Sequence, residues 1–213
     1  MAPAHPHPAA VNDARDVGVA LLSAATSPLP AALGGVQIDF ATYGTFGISA
    51  GGYMAANAAR QLAAVDGIAP QTVQISIVPM AKPNGGTSSM AKFFYKKDWG
   101  GAANAYAWSV LLPGDDGSIA ATWQASLLVD PPAEIVAKLP RAYVQINTQD
   151  VLRDEGELYA QKLEAMGKLI KMEEFNTGHI GTVPGKLSEG GPGADAFARA
   201  LATLQQELYK EAR

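Results

Sequence analysis

Gly47-Ile48-Ser49-Ala50-Gly51 forms a G-x-S-x-G pattern between a β-prone run and a helical one. In that setting a serine is lifted onto a sharp strand-to-helix turn with its hydroxyl exposed, a nucleophile elbow. Bulky side chains two residues either side of such a serine would collide, so Gly47 and Gly51 are both expected to relieve the turn. The following helix points its N-terminus at the serine, which makes the Ala50 N–H a candidate donor to an oxyanion. A serine hydroxyl is a poor nucleophile at neutral pH and needs a base, itself oriented by an acid. The chain has three histidines. His5 and His7 sit in Ala-His-Pro-His-Pro, where the prolines forbid a helix, so His179 is the candidate base. Asp150 lies 101 residues after Ser49 and 29 before His179. Asp154 and Glu155 compete for the role of acid. Both open a helix, where carboxylates commonly face solvent and the helix dipole, and Asp150 is preferred because it stands nearer a strand end.

The elements that must hold these groups follow from hydrophobic period and turn signals. Residues 9–25 carry the spacing of an amphipathic helix, and the Pro/Gly-marked stretch 27–35 reads as a loop. Val36–Phe40 and Tyr43–Ile48 are short β-prone runs. From Ala50 the pattern turns helical, with Met54, Ala58, Leu62 and Val65 on one face and Asp66-Gly67 as the stop. Thr72–Met80 reads as a buried strand, Arg141–Asn147 as the next, 153–166 as a helix closed by Gly167, and Leu169–Phe175 as a strand. The last helix covers about 193–211. Strands alternating with helices of this length predict an α/β fold, a mostly parallel sheet with helices on both faces. In such a sheet functional groups collect beyond the carboxyl ends of strands, and Ser49, Asp150 and His179 each follow an expected strand. Residues 81–133 show no clean period. They hold seven of the sixteen aromatics, Phe93, Phe94, Tyr95, Trp99, Tyr106, Trp108 and Trp123, expected to divide between packing and the wall of an apolar pocket.

Composition closes off other classes. Of 213 residues 48% are apolar and 17% charged, enough apolar surface to bury a core. The net charge of −4 carries no basic block, so nucleic-acid binding is not expected. Nothing reads as a membrane span or an export signal. Without a single cysteine, disulfides, thiolate nucleophiles and cysteine-ligated zinc are excluded. The expectation is a cytoplasmic enzyme that uses neither cofactor nor metal.

The segments GISAGGYMAANAARQ (47–61) and LPRAYVQINTQDVLRDEGELYAQKLEAMG (139–167), with Gly178-His179-Ile180 after them, resemble the hormone-sensitive-lipase-like, fold-3 esterase branch of the α/β-hydrolases. The most distinctive part is D-x-L-R-D-E-G-E-x-Y-A-x-x-L from Asp150 to Leu163. The resemblance runs from about residue 9 to the C-terminus. It implies an α/β-hydrolase domain over 9–213 behind a flexible tail of residues 1–8. It implies Ser49 as nucleophile, His179 as base and acid, and Asp150 as orienting acid, cleaving carboxylic esters of short to medium acyl chain through an acyl-serine. The sequence departs from the family at Ile48, where an acidic residue is usual, and at Ile180, which separates the histidine from Gly181. The family's His-Gly-Gly(-Gly) oxyanion loop is spelled nowhere in the 213 residues, and Gly34-Gly35 lies too close to the elbow to replace it. The chain is therefore expected to lack the N-terminal part of such an enzyme. A homodimer that completes the sheet is one expectation. A catalytically impaired remnant, or an amide or lactone hydrolase with the same triad, are the alternatives to a small-molecule esterase.

Overall fold

A computed structural model describes residues 2–23, 42–97, 99–184 and 192–210. Four parallel strands, β1 (Gly44–Ile48), β2 (Val73–Ile77), β3 (Arg141–Asn147) and β4 (Leu169–Phe175), pair in the order β1-β2-β3-β4. Among the described residues seven helices surround them: α1 (Ala9–Ser23), α2 (Ala50–Ala63), α3 (Ser88–Lys92), α4 (Gly101–Leu111), α5 (Ala133–Lys138), α6 (Arg153–Ala165) and α7 (Gly193–Leu208). Parallel neighbours require crossovers, and α2 and α6 supply those leading out of β1 and β3.

Every residue of β2 is buried, the condition of a parallel strand covered on both faces. Val73, Ile75 and Ile77 pack with Tyr143, Phe197, Ala200 and Leu204 beneath α7. Ala142, Val144 and Ile146 of β3 face the other way, into a core with Tyr53 and Ala56 of α2 and Tyr159, Ala160 and Leu163 of α6. Polar strand residues on that face find partners: Tyr159 Oη donates to Gln74 Oε1 at 3.0 Å, and Ser76 Oγ to Gly52 O at 3.0 Å. Arg60 of α2 is buried and donates to the carbonyls of Trp123 (3.1 Å), Ser126 (3.0 Å), Leu127 (2.6 Å) and Val129 (3.3 Å), which fastens the irregular 123–129 segment to the helix.

Several expectations change. The β-prone run Val36–Phe40 and the loop 27–35 lie outside the described residues. The strand expected over 72–80 stops at Ile77, because Val78 takes φ 41°. The aperiodic stretch 81–133 contains α3, α4 and the start of α5. In α4 the buried positions are Gly101, Asn104 and Trp108, a helical spacing hidden by a glycine and an asparagine in its stripe and by the exposed Tyr106 beside it. Residues 2–8, part of the segment expected to be a flexible tail, contain turns, and His7 N–H donates to Leu111 O at 2.8 Å.

Candidate active site

Ser49 stands between β1 and α2 with φ 58° and ψ −120°, a region that costs a non-glycine residue about 1–3 kcal/mol. The surroundings over-determine it. Ser49 N–H donates to Ile77 O at 2.8 Å, and Ser49 O accepts from Tyr53 N–H (3.1 Å) and Met80 N–H (3.4 Å). A Cβ on Gly47 would lie 1.9 Å from Gly51 O and 2.2 Å from Gly51 C, so only glycine fits there. The expectation for Gly51 is corrected: a Cβ at that position meets nothing within 4 Å, since it points outward from the first turn of α2. The residue the sequence reading missed is Gly52, whose Cβ would press on Ile77 O at 3.1 Å and Pro79 Cα at 3.2 Å. The second close approach of the turn is thus one residue later, where helix meets strand. Ala50 is exposed and opens α2, so its N–H, in the first turn, has no acceptor within the helix and lies at the positive end of the dipole.

The three residues singled out in the sequence meet at the carboxyl ends of β1, β3 and β4. Ser49 Oγ lies 2.8 Å from His179 Nε2, and His179 Nδ1 lies 2.8 Å from Asp150 Oδ2. An ionised carboxylate only accepts, so Nδ1 carries the proton and Nε2 offers its lone pair to the serine hydroxyl. Asp150 is 1% exposed and His179 4%. The second Asp150 oxygen, Oδ1, accepts from Leu152 N–H at 3.0 Å, which fixes the carboxylate plane.

The rival carboxylates are engaged elsewhere. Asp154 Oδ2 accepts from Ser89 N–H at 2.7 Å, and its other oxygen pairs with Arg153 Nη1 at 3.1 Å. Glu155 is fully buried, and its Oε2 accepts from Ala81 N–H and Lys82 N–H, each at 2.9 Å. Burial pushes the Glu155 carboxyl up to about 7, with the nearby Asp150 charge adding to the effect and the hydrogen bonds opposing it.

Three further residues support the site, and of these Asn147 carries no sequence signal beyond its type. Asn147, buried at the end of β3, donates from Nδ2 to Gly178 O (2.8 Å), His179 O (3.2 Å) and Thr182 Oγ1 (3.3 Å), and so clasps the histidine turn. Gly181 closes that turn, because a Cβ there would lie 1.8 Å from Thr177 Oγ1. Trp99 stacks on the His179 ring, centroids 5.6 Å apart and planes 20° apart. Trp108 instead sits in the core, edge-on to Tyr53 at 5.4 Å. Among the described residues no group of three or more His, Asp or Glu side chains is placed to hold a metal ion, and no helix is long and apolar enough to cross a membrane.

A parallel sheet with a strained serine at the strand-to-helix turn and a histidine–aspartate pair beyond later strands defines a class. The chain belongs to the alpha/beta hydrolase fold family, which it matches over residues 1–182. It is 34% identical over 139 residues to an arylesterase of Saccharolobus solfataricus, an overlap of 63% of this chain and 42% of that protein. Among solved structures it resembles a thermostable esterase from Pseudomonas putida, with TM-score 0.81, 27% identity, and coverage of 97% of this chain and 61% of that one. The esterase LipW from Mycobacterium marinum matches with TM-score 0.80 and 26% identity over 98% of this chain and 61% of that one. The chain thus spans less than two thirds of the length of each of these proteins.

Proposed function

We propose that the protein hydrolyses carboxylic esters of short to medium acyl chain, with Ser49 as nucleophile, His179 as general base and then acid, and Asp150 orienting the ring. The observation that carries this reading is the unbroken line from Ser49 Oγ through both His179 nitrogens to Asp150 Oδ2, 2.8 Å at each hydrogen bond. Ser49 Oγ attacks the ester carbonyl carbon while its proton passes to Nε2. The imidazolium so formed keeps its Nδ1 proton and donates it as a hydrogen bond to Asp150, whose negative charge offsets the new positive one. The carbonyl oxygen becomes an oxyanion that takes a hydrogen bond from Ala50 N–H at the α2 N-terminus. Nε2–H then protonates the departing alkoxide, which leaves as the alcohol. In the second half a water molecule gives its proton to Nε2, attacks the acyl carbon, and Ser49 Oγ departs with that proton.

The similar proteins are an arylesterase and esterases, which supports an ester over an amide as substrate. Purified protein is expected to turn over p-nitrophenyl acetate or butyrate and to be labelled by a fluorophosphonate. Ser49→Ala is expected to lose both, with turnover falling by roughly 10⁴-fold or more. A soluble, folded wild type that neither turns over nor labels would defeat the proposal. A cytoplasmic location and a homodimer go with it, to be checked by cell fractionation and by sedimentation.

A further inference from the structure

We propose that Trp99 is a positioning residue for His179, an aromatic plate that sets the tilt of the imidazole and faces the positive charge formed on it. The proposal rests on the triad reading above. The two hydrogen bonds of His179, to Ser49 Oγ and to Asp150 Oδ2, use the ring N–H and the ring nitrogen lone pair, which point along the plane of the imidazole. They fix where its two nitrogens sit and leave the ring free to tip about the line joining them. A flat group parallel to the imidazole removes that freedom. The Trp99 indole does so, centroids 5.6 Å apart and planes 20° apart. The same face carries the negative lobe of the indole quadrupole, which attracts an imidazolium more than a neutral imidazole. The attraction therefore strengthens as the Ser49 proton arrives, the condition for lowering a barrier rather than merely binding.

The chain between α3 and α4 is built to hold the indole there. Gly101 N–H donates to Phe93 O at 3.3 Å and Ala102 N–H to Phe94 O at 3.2 Å, which holds the start of α4 against the end of α3. Side chains are excluded there: a Cβ on Gly100 would lie 2.8 Å from the carbonyls of Phe94 and Lys96, and one on Gly101 would lie 2.7 Å from the Phe94 ring. Lys96 Nζ donates to Gln149 O at 2.8 Å, tying this segment to the residue before Asp150. The indole Nε1 is buried and has no acceptor among the described residues. Stacking therefore sets the ring's pose without help from its own N–H, and a local cost of this kind is usual where geometry serves a site.

The test compares Trp99→Leu, Trp99→Phe and wild type in steady-state hydrolysis of p-nitrophenyl butyrate, in the rate of fluorophosphonate labelling of Ser49, and in proton NMR of the histidine ring C–H signals. His179 is assigned against the two other histidines with a His179→Asn variant. In the wild type, the indole ring current shifts the His179 signals upfield, and Trp99→Leu moves them back. Trp99→Leu lowers kcat and the labelling rate about tenfold with KM little changed, and Trp99→Phe, which keeps a ring, recovers most of the loss. Trp99→Met replaces the leucine variant if that one does not fold. A loss carried by KM alone would make Trp99 a substrate contact and overturn the proposal. So would unchanged labelling in Trp99→Leu, or a phenylalanine variant as slow as the leucine one. A wild type that is never labelled defeats the triad instead. In that case, His179 signals identical in wild type and Trp99→Leu would separately dispose of the stack.

Discussion

Gly47 and Gly51 occupy matching places in the G-x-S-x-G pattern and do different work. Gly47 faces the backbone of the next turn, with 1.9 Å between its absent Cβ and Gly51 O, while Gly51 faces open space. Gly47→Ala is therefore expected to forfeit soluble protein or, where it folds, nearly all turnover, since backbone must move to admit the methyl group. Gly51→Ala is expected to keep activity within about threefold and to raise stability by about 0.5 kcal/mol, because alanine is the better helix former. Activity assays and urea unfolding of the pair check this, and equal damage from both would contradict it. The elbow, the histidine and Asp150 were legible at this scale because each is a residue type with a chemical requirement. Gly52 and Asn147 were not, since what they touch is a strand or a turn remote in the chain.

Among the elements, the loop that follows β2 is held from α6 by a buried carboxyl. Glu155 receives the N–H groups of Ala81 and Lys82, and Met80 N–H reaches Ser49 O at 3.4 Å, so this loop forms one wall of the elbow. Burial raises the Glu155 carboxyl from its ordinary 4.5 to about 7. Between those values the unfolded chain has released this proton while the native chain keeps it. The native state binds more protons, so Glu155's contribution to stability is present at low pH and is lost as pH rises through this window, by about 3 kcal/mol in total. Glu155→Gln removes the titration. Its amide oxygen keeps the two N–H donors, and its NH₂ gains Asn104 Oδ1, which has no donor among the described residues. The variant's stability relative to wild type should therefore be higher at pH 8 than at pH 5, read from urea unfolding at both. A difference independent of pH would show that Glu155 does not titrate in this window. Helix α4 was illegible in the sequence for a related reason. Its buried stripe includes Asn104, which donates to Glu155 Oε1 at 3.3 Å, so a polar residue stands where a hydrophobic period would be sought.

For the whole molecule, stability and chemistry draw on different parts of the fold. Arg60, buried against the 123–129 carbonyls and over the Tyr159 ring at 5.8 Å, touches none of the triad. Arg60→Met would leave four carbonyls short of a donor, those of Ser126 and Leu127 in buried contacts, and is expected to cost about 3 kcal/mol or more in urea unfolding while kcat/KM of the folded fraction stays close to wild type. A large fall in kcat/KM without loss of stability would place Arg60 in the site's machinery instead. The amino-acid sequence alone determined the alternation of strands and helices, the order serine, aspartate, histidine, and the lack of cysteine in these 213 residues, because these follow from residue type and short-range spacing. Tertiary structure decided which of three neighbouring carboxylates faces the histidine, which glycine the elbow cannot lose, and which of seven aromatics lies over the imidazole. The first and last of those choices rest on contacts between segments 29 and 80 residues apart in the chain, and the second on the backbone path around Ser49; side-chain direction at such contacts has no local signature.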